Sequence, residues 1–468
     1  MSKTWAVARH MIAEGLRMKI AVVFLVLLGT VVLSLPFSIS GDSSLTGAVQ
    51  SFMSYALTAT AVLLGMLSIF LSRSLSDELV HRQAFLVLSK PIPRWQFVLG
   101  KWLGITLLNA AFLAFTGLAV YGMVRYLIHT HPPIDDHFDK QELNNEVLVA
   151  RHAIRATLPD FRKPAEAEFE RNVEEGRYVD VPDFDAEAEK QRLAKKHEAR
   201  WRVIGPLESR QLLFENVLCD RSPQNTVQIR YKAEVTNYPP DEILRAAWRF
   251  GDPAKGTPIG DVPIRHVVGR FHTIRIPANL VAEDRTLAAQ IFNENPFDGE
   301  PQFKNILELR SSAEVEVLFV VGTFEWNFVR LAALMMCKLV FLAGVAILAT
   351  TVFSYPVACL CSFTVYILSA ARSFLQEAFA SAPASGAWTL DSAKEFLAQL
   401  ILFVLRLIYW VLPDFGRYDA VEDFINGRNV SLVWVLQGVS EVGLLKTAVV
   451  LGLAMLLFHR REIAEISV

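Results

Sequence analysis

Long uninterrupted apolar runs decide what this chain of 468 residues can fold into. Residues 20–37 and 52–71 are almost pure hydrocarbon, as are 102–124, 331–353, 357–371, 397–412 and 444–458. A helix needs about 20 residues, roughly 17–25, to cross a bilayer core. Most of these runs suffice, while 357–371 and 397–412 are short. With 52% hydrophobic residues and a mean hydropathy of +0.32, the chain reads as an integral membrane protein. The first run follows an amphipathic lead, is too long for the apolar core of a signal peptide and lacks a small-x-small cleavage site after Phe37. An uncleaved signal anchor is expected.

Lysine and arginine near the ends of the runs set the orientation. Lys3, Arg9, Arg17 and Lys19 precede the first run, and the connection 38–51 has no basic residue. The loop 73–101 carries Arg73, Arg82, Lys90, Arg94 and Lys101, and the tail begins His459-Arg460-Arg461. Both termini and the 73–101 loop are therefore expected in the cytoplasm. Three crossings then put a hydrophilic insert, 127–325, outside. It holds 26 Lys and Arg against 34 Asp and Glu, so the membrane halves 1–126 and 326–468 keep the basic surplus. Six spans satisfy the charges if 397–412, with Arg406 in mid-run, is a re-entrant or interfacial segment on the outer side.

The insert changes character near Gly205-Pro206. Residues 127–204 read as a helical arm, with helices over 140–156, 164–175 and 185–202, the last carrying charges suited to i,i+4 pairing. Residues 205–325 alternate in the manner of strands at 226–235, 267–276 and 313–321, between turn signals. An antiparallel β-sandwich is expected there. Cys219 stands alone in the insert and Cys337, Cys359 and Cys361 lie in apolar runs, so no disulfide framework is indicated.

The loop between the second and third runs is the most specific feature. A polar stretch, Ser76-Asp77-Glu78-Leu79, leads into Leu88-Ser89-Lys90-Pro91-Ile92-Pro93-Arg94, and an apolar helix resumes through Leu99-Gly100-Lys101-Trp102-Leu103-Gly104. This resembles the first cytoplasmic loop of ABC-2 type permeases, where an acidic helix leads into LLSKPxxR and then LLGKxxG. Three weaker likenesses follow in family order: Ser354-Tyr355-Pro356-Val357-Ala358, Leu412-Pro413-Asp414 through Asp419, and the terminal Phe458-His459-Arg460-Arg461-Glu462. The likeness covers 1–126 and 328–468, and the insert departs from compact permeases.

The resemblance implies a polytopic α-helical membrane protein with six ABC-2-like spans and an α+β extracytoplasmic domain. It implies a bacterial cytoplasmic (inner) membrane, a separate ABC ATPase subunit that binds ATP and magnesium, a second permease subunit, and no cofactor on this chain. The lead Thr4–Lys19 corresponds to an interfacial elbow helix. A helix over 76–88 serves as the lever on which the ATPase acts, with Asp77, Glu78, Arg82, Phe85, Leu88, Lys90, Pro91 and Arg94 as its coupling residues. The competing reading is a membrane scaffold or sensor that meets an extracytoplasmic protein through 127–325.

Ionisable residues inside apolar runs are functional candidates: Lys338, Glu441 and Lys446, either with Glu441 paired to one of the lysines to hold an outer gate or, as the simpler reading, with both lysines snorkelling to the outer headgroups. His129, His131 and His137 offer ligands for zinc or copper, but Pro132-Pro133 stiffens the segment and no second cluster completes a site, so a solvated linker is the expected reading and no metal is assigned. No Walker sequence, H-E-x-x-H, G-x-S-x-G or CxxC occurs, so neither an ATPase nor an enzyme is indicated, and nothing points to nucleic acid.

Overall fold

The computed structural model describes residues 3–38, 44–81, 92–130, 140, 143–178, 185–222, 225–236, 239, 242–293, 306–309, 314–373 and 412–460. They form two compact units, Met1–Ala150 with Thr323–Val468, and Arg151–Gly322.

In hydrocarbon the backbone must satisfy its own hydrogen bonds, and in the first unit the apolar runs among the described residues are helical. The lead is α1, Lys3–Arg17. Lys19 at φ 58° turns the chain into α2, Ile20–Ser38. Helix α3, Leu45–Leu71, starts at Ser44, whose hydroxyl accepts from Gly47 N at 2.9 Å. After Ser72, α4 (Arg73–Val80) continues, then α5, Arg94–Thr130. Beyond the insert come α8, Phe324–Val352, and α9, Tyr355–Ala370, whose Pro356 suits a first turn. A short helix α10, Val421–Ile425, precedes α11, Leu432–Arg460.

Among the described residues, five helices (α2, α3, α5, α8 and α11) are long and apolar enough to cross a membrane. Helix α9 is apolar but has 16 residues, about 24 Å at ~1.5 Å per residue, short of a ~30 Å core. Its end meets the segment that precedes α10: Phe415 N donates to Ser369 O at 3.0 Å. The segment 397–412 lies outside the described residues except for Leu412. Buried polar bonds join the central helices. Asn109 on α5 donates to Ser68 on α3 at 2.7 Å, and Trp102 on α5 donates to Val340 O on α8 at 3.1 Å.

The second unit is built on two four-stranded sheets, ordered β1-β11-β4-β8 and β3-β9-β6-β7. The strands are β1 Val149–Arg155, β3 Ser209–Phe214, β4 Thr226–Lys232, β6 Ile243–Phe250, β7 Gly260–Val267, β8 Phe271–Pro277, β9 Leu287–Phe292 and β11 Val315–Thr323. A smaller sheet joins β2 Val203–Ile204, β10 Leu307–Glu308 and β5 Glu234–Val235. The inward residues of both large sheets share one core, in which Tyr231 on β4 meets Trp248 on β6 edge-on at 5.4 Å. Two charged helices flank the strands, α6 Arg162–Glu174 and α7 Ala186–Arg202, the latter capped by Asp185.

Two sequence expectations are corrected here. Residues 149–155, read as part of a helix over 140–156, are strand β1: its place beside β11 in the sheet outweighs the helix propensity of its alanines and arginines. Residues 267–276, read as one strand, are the end of β7 and most of β8, which belong to different sheets. Gly269 at φ +76° makes the turn between them.

Candidate functional site

At one end of the membrane unit, α1, α4 and α5 converge on a buried ion cluster. Gly100 and Gly104, one turn apart on α5, face α1 so closely that a Cβ on Gly100 would lie 2.6 Å from Val7 Cβ, and one on Gly104 2.6 Å from Met11 Cβ. Small residues at this spacing let helix backbones meet. Lys101 lies between them and is 1% exposed. Its ammonium donates to Glu14 on α1 at 3.0 Å, to Ser74 on α4 at 2.7 Å and to Glu78 on α4 at 2.8 Å. Ser74 also donates to Glu14 at 2.5 Å. An ammonium has three protons to give, and all three are used here.

Burial opposes the charge on Glu14, but Lys101 and the Ser74 hydroxyl outweigh it and hold its carboxyl below the usual range. His10, Glu14 and Glu78 bring ligand atoms within 4.8 Å of one another. The Lys101 ammonium already stands between the carboxylates, so the cation of this cluster is the protein's own.

The sequence-derived coupling residues fall on different faces. Glu78 is buried in the cluster, while Asp77 lies on the outer side of α4, 3.2 Å from Arg73. Arg94 begins α5 and donates to the carbonyls of His459 at 2.7 Å and Phe458 at 3.4 Å, closing the end of α11. Phe97 stacks on Phe458 beside it. Helices α1 and α4, the start of α5 and the end of α11 thus share one end of the unit. Arg82, Phe85, Leu88, Lys90 and Pro91 lie outside the described residues.

A second polar set lies halfway along the helices. Lys338, at the middle of α8, faces Asp419 at 3.6 Å beside a cavity of about 220 Å³ that Gly65, Leu342, Tyr366 and Phe415 also line. Glu441 pairs with Lys446 at 3.2 Å and accepts from the Tyr418 hydroxyl at 2.6 Å. Lys446 further donates to Leu412 O at 3.2 Å.

The pairing of Glu441 with Lys446 depends on local winding. Five residues apart, they would stand about 140° around an α-helix from each other. Residues 439–446 of α11 are instead wound as a π-helix, with i→i+5 bonds, which brings the two onto one face. Thr447 closes this stretch by donating to Val442 O at 2.8 Å.

Sequence reasoning named Lys338, Glu441 and Lys446 but missed Asp419, Tyr418, Glu14 and Lys101 as their partners or counterparts. The five-residue spacing of Glu441 and Lys446 around Gly443 was the available signal for the π stretch. Of the histidine trio, His129 lies in the last turn of α5, and His131 and His137 lie outside the described residues.

Residues 5–149 match the family model described as ABC-2 family transporter protein. No curated protein matches the chain. The matched stretch contains α1 to α5, including the Gly100-Lys101-Gly104 motif and both carboxylates of the ion cluster, and it supports an ABC-2 type permease membrane subunit.

Proposed function

We propose that this chain, whose residues 5–149 match the ABC-2 family transporter model, is the permease subunit of an ABC transporter in a bacterial cytoplasmic membrane, with both termini in the cytoplasm. A separate ATPase subunit binds ATP and magnesium, and a second permease subunit completes the translocating body. The ATPase acts on the 76–94 stretch through Asp77, Arg82, Phe85, Leu88, Lys90, Pro91 and Arg94.

The observation that carries this reading is the buried Lys101 cluster. A lever must be stiff where it joins what it moves, and α4 is held to α1 and α5 by a fully used ammonium. In this reading Glu78 contributes to coupling by fixing the lever from within and makes no contact with the ATPase. The Glu441–Lys446–Tyr418 set acts as the outer gate that opens when α11 moves.

Co-purification from the native host tests the reading. The tagged chain should bring down a Walker-containing ATPase, and Phe85→Ala or Arg94→Glu should release it while the chain stays in the membrane. Recovery of envelope proteins alone, with no ATPase, would overturn the permease reading in favour of a scaffold.

A further inference from the structure

Within the unit Arg151–Gly322, an open hollow of about 710 Å³ lies between the start of α6, the last turn of α7 and the β2–β3 turn. Small-molecule sites commonly measure ~300–1,000 Å³. Its apolar part is an aromatic pair, Phe161 and Trp201, with centroids 6.0 Å apart and planes at 63°, both half-buried. Arg210 lies 5.9 Å from the Trp201 ring and is steadied by donating from Nη2 to Val203 O at 2.8 Å. Its Nε is buried and donates to no group among the described residues.

The remaining polar groups divide cleanly. The carboxylates of Asp160 and Glu208 each accept one backbone N–H, from Arg162 at 3.0 Å and Gly205 at 3.1 Å, and keep acceptor capacity to spare. Ser209 Oγ accepts from Gln290 at 2.8 Å, which leaves its own proton to give. His197 is turned away to Glu168 at 2.7 Å. Arg200, exposed at the rim, has no carboxylate partner among the described residues.

An occupant must therefore offer three things at once: a flat apolar face for the aromatic pair, hydroxyls for the two carboxylates and Ser209, and an anion for Arg200 and the spare Nε of Arg210. An inorganic anion uses only the last of these. A neutral sugar leaves the guanidinium unanswered. We infer that this hollow binds an acidic saccharide, its ring stacked by a C–H face on Trp201 and its carboxylate held by Arg200, in the charge-assisted geometry that arginine and carboxylate favour. This assignment is independent of the transport reading.

Isothermal titration of the full chain in detergent micelles with trigalacturonate tests it, with maltotriose and sulfate as comparators. Saturable binding of trigalacturonate is expected, with weaker binding of maltotriose and no displacement by equimolar sulfate. Arg200→Ala should weaken it roughly tenfold, the usual scale for losing a hydrogen bond to a charged group. The melting temperature should not change, because Arg200 is exposed. Trp201→Phe should retain measurable binding and Trp201→Leu should not, with the melting temperature of each variant recorded. Absence of trigalacturonate binding, equal affinity for maltotriose, displacement by sulfate, or an Arg200→Ala variant that binds as the parent does would each overturn the assignment.

Discussion

Lys101 is the residue on which the joint of α1, α4 and α5 most depends. A buried charge is tolerated only with partners that replace its hydration, and Glu14, Glu78 and Ser74 together fill that role. Lys101→Met would leave two carboxylates facing each other without a cation. A loss of about 3–5 kcal/mol is expected, read as a lower melting temperature in detergent. The triple variant Glu14→Gln, Glu78→Gln, Lys101→Met should recover much of that stability, since no unpaired charge remains.

Acid should loosen the same joint. The Glu14 carboxyl titrates below its ordinary value of 4.5 in the folded chain, with burial resisting and Lys101 and Ser74 prevailing. A depressed carboxylate gives stability that is present above the unfolded value and lost as pH falls through the folded one. Around it stand Lys101, Glu78, His10 and Ser74. The melting temperature of the parent should therefore fall below pH about 4.5, more steeply than that of Glu14→Gln. Equal slopes would deny Glu14 this role.

At the scale of elements, the spans were legible because hydrocarbon leaves the backbone no choice. Any run of sufficient length with few charges becomes a helix, and α2, α3, α5, α8 and α11 follow from that alone. The paired carboxylate of Lys101 was not legible, because Glu14 is 87 residues away in the chain and only the docking of α1 on α5 brings it near. Strand β1 was hidden for a related reason: its residues favour a helix locally, and only β11, more than 150 residues later, supplies its neighbour. The hinge at Gly269 was available as a lone glycine inside an alternating run, a known mark of interruption.

The π stretch of α11 gives the sharpest element-level expectation. Deleting one residue within 439–446 should restore α-helical winding, separate Glu441 from Lys446 and abolish transport-linked ATPase activity in the assembled complex. Glu441→Gln keeps the winding but removes the charge facing Lys446, and should alter that activity without releasing the ATPase. If Glu441→Gln leaves both assembly and activity at parental levels, the gate role is wrong.

For the molecule as a whole, the shared end of α1, α4, α5 and α11 is the main constraint on topology. Arg94 caps the last carbonyls of α11, so the start of α5 and the C-terminal end of α11 lie on one side. Cysteines introduced at Arg9, Asp77 and Arg460, in a background freed of the four native ones, should label together from the cytoplasmic face of sealed vesicles, and one at Lys255 from the opposite face. A split among the first three would refute the arrangement of the helices as well as the proposed orientation.

The two bare α-carbons at Gly100 and Gly104 carry a mechanical consequence. Where most helices in a bundle touch through a cushion of side chains on both sides, here the bare backbone of α5 rests directly on Val7, Met11 and the carbonyls of Thr4 and Ala8. A joint with so little compliance passes on a small displacement nearly undiminished. It also has no slack in which to absorb a methyl group.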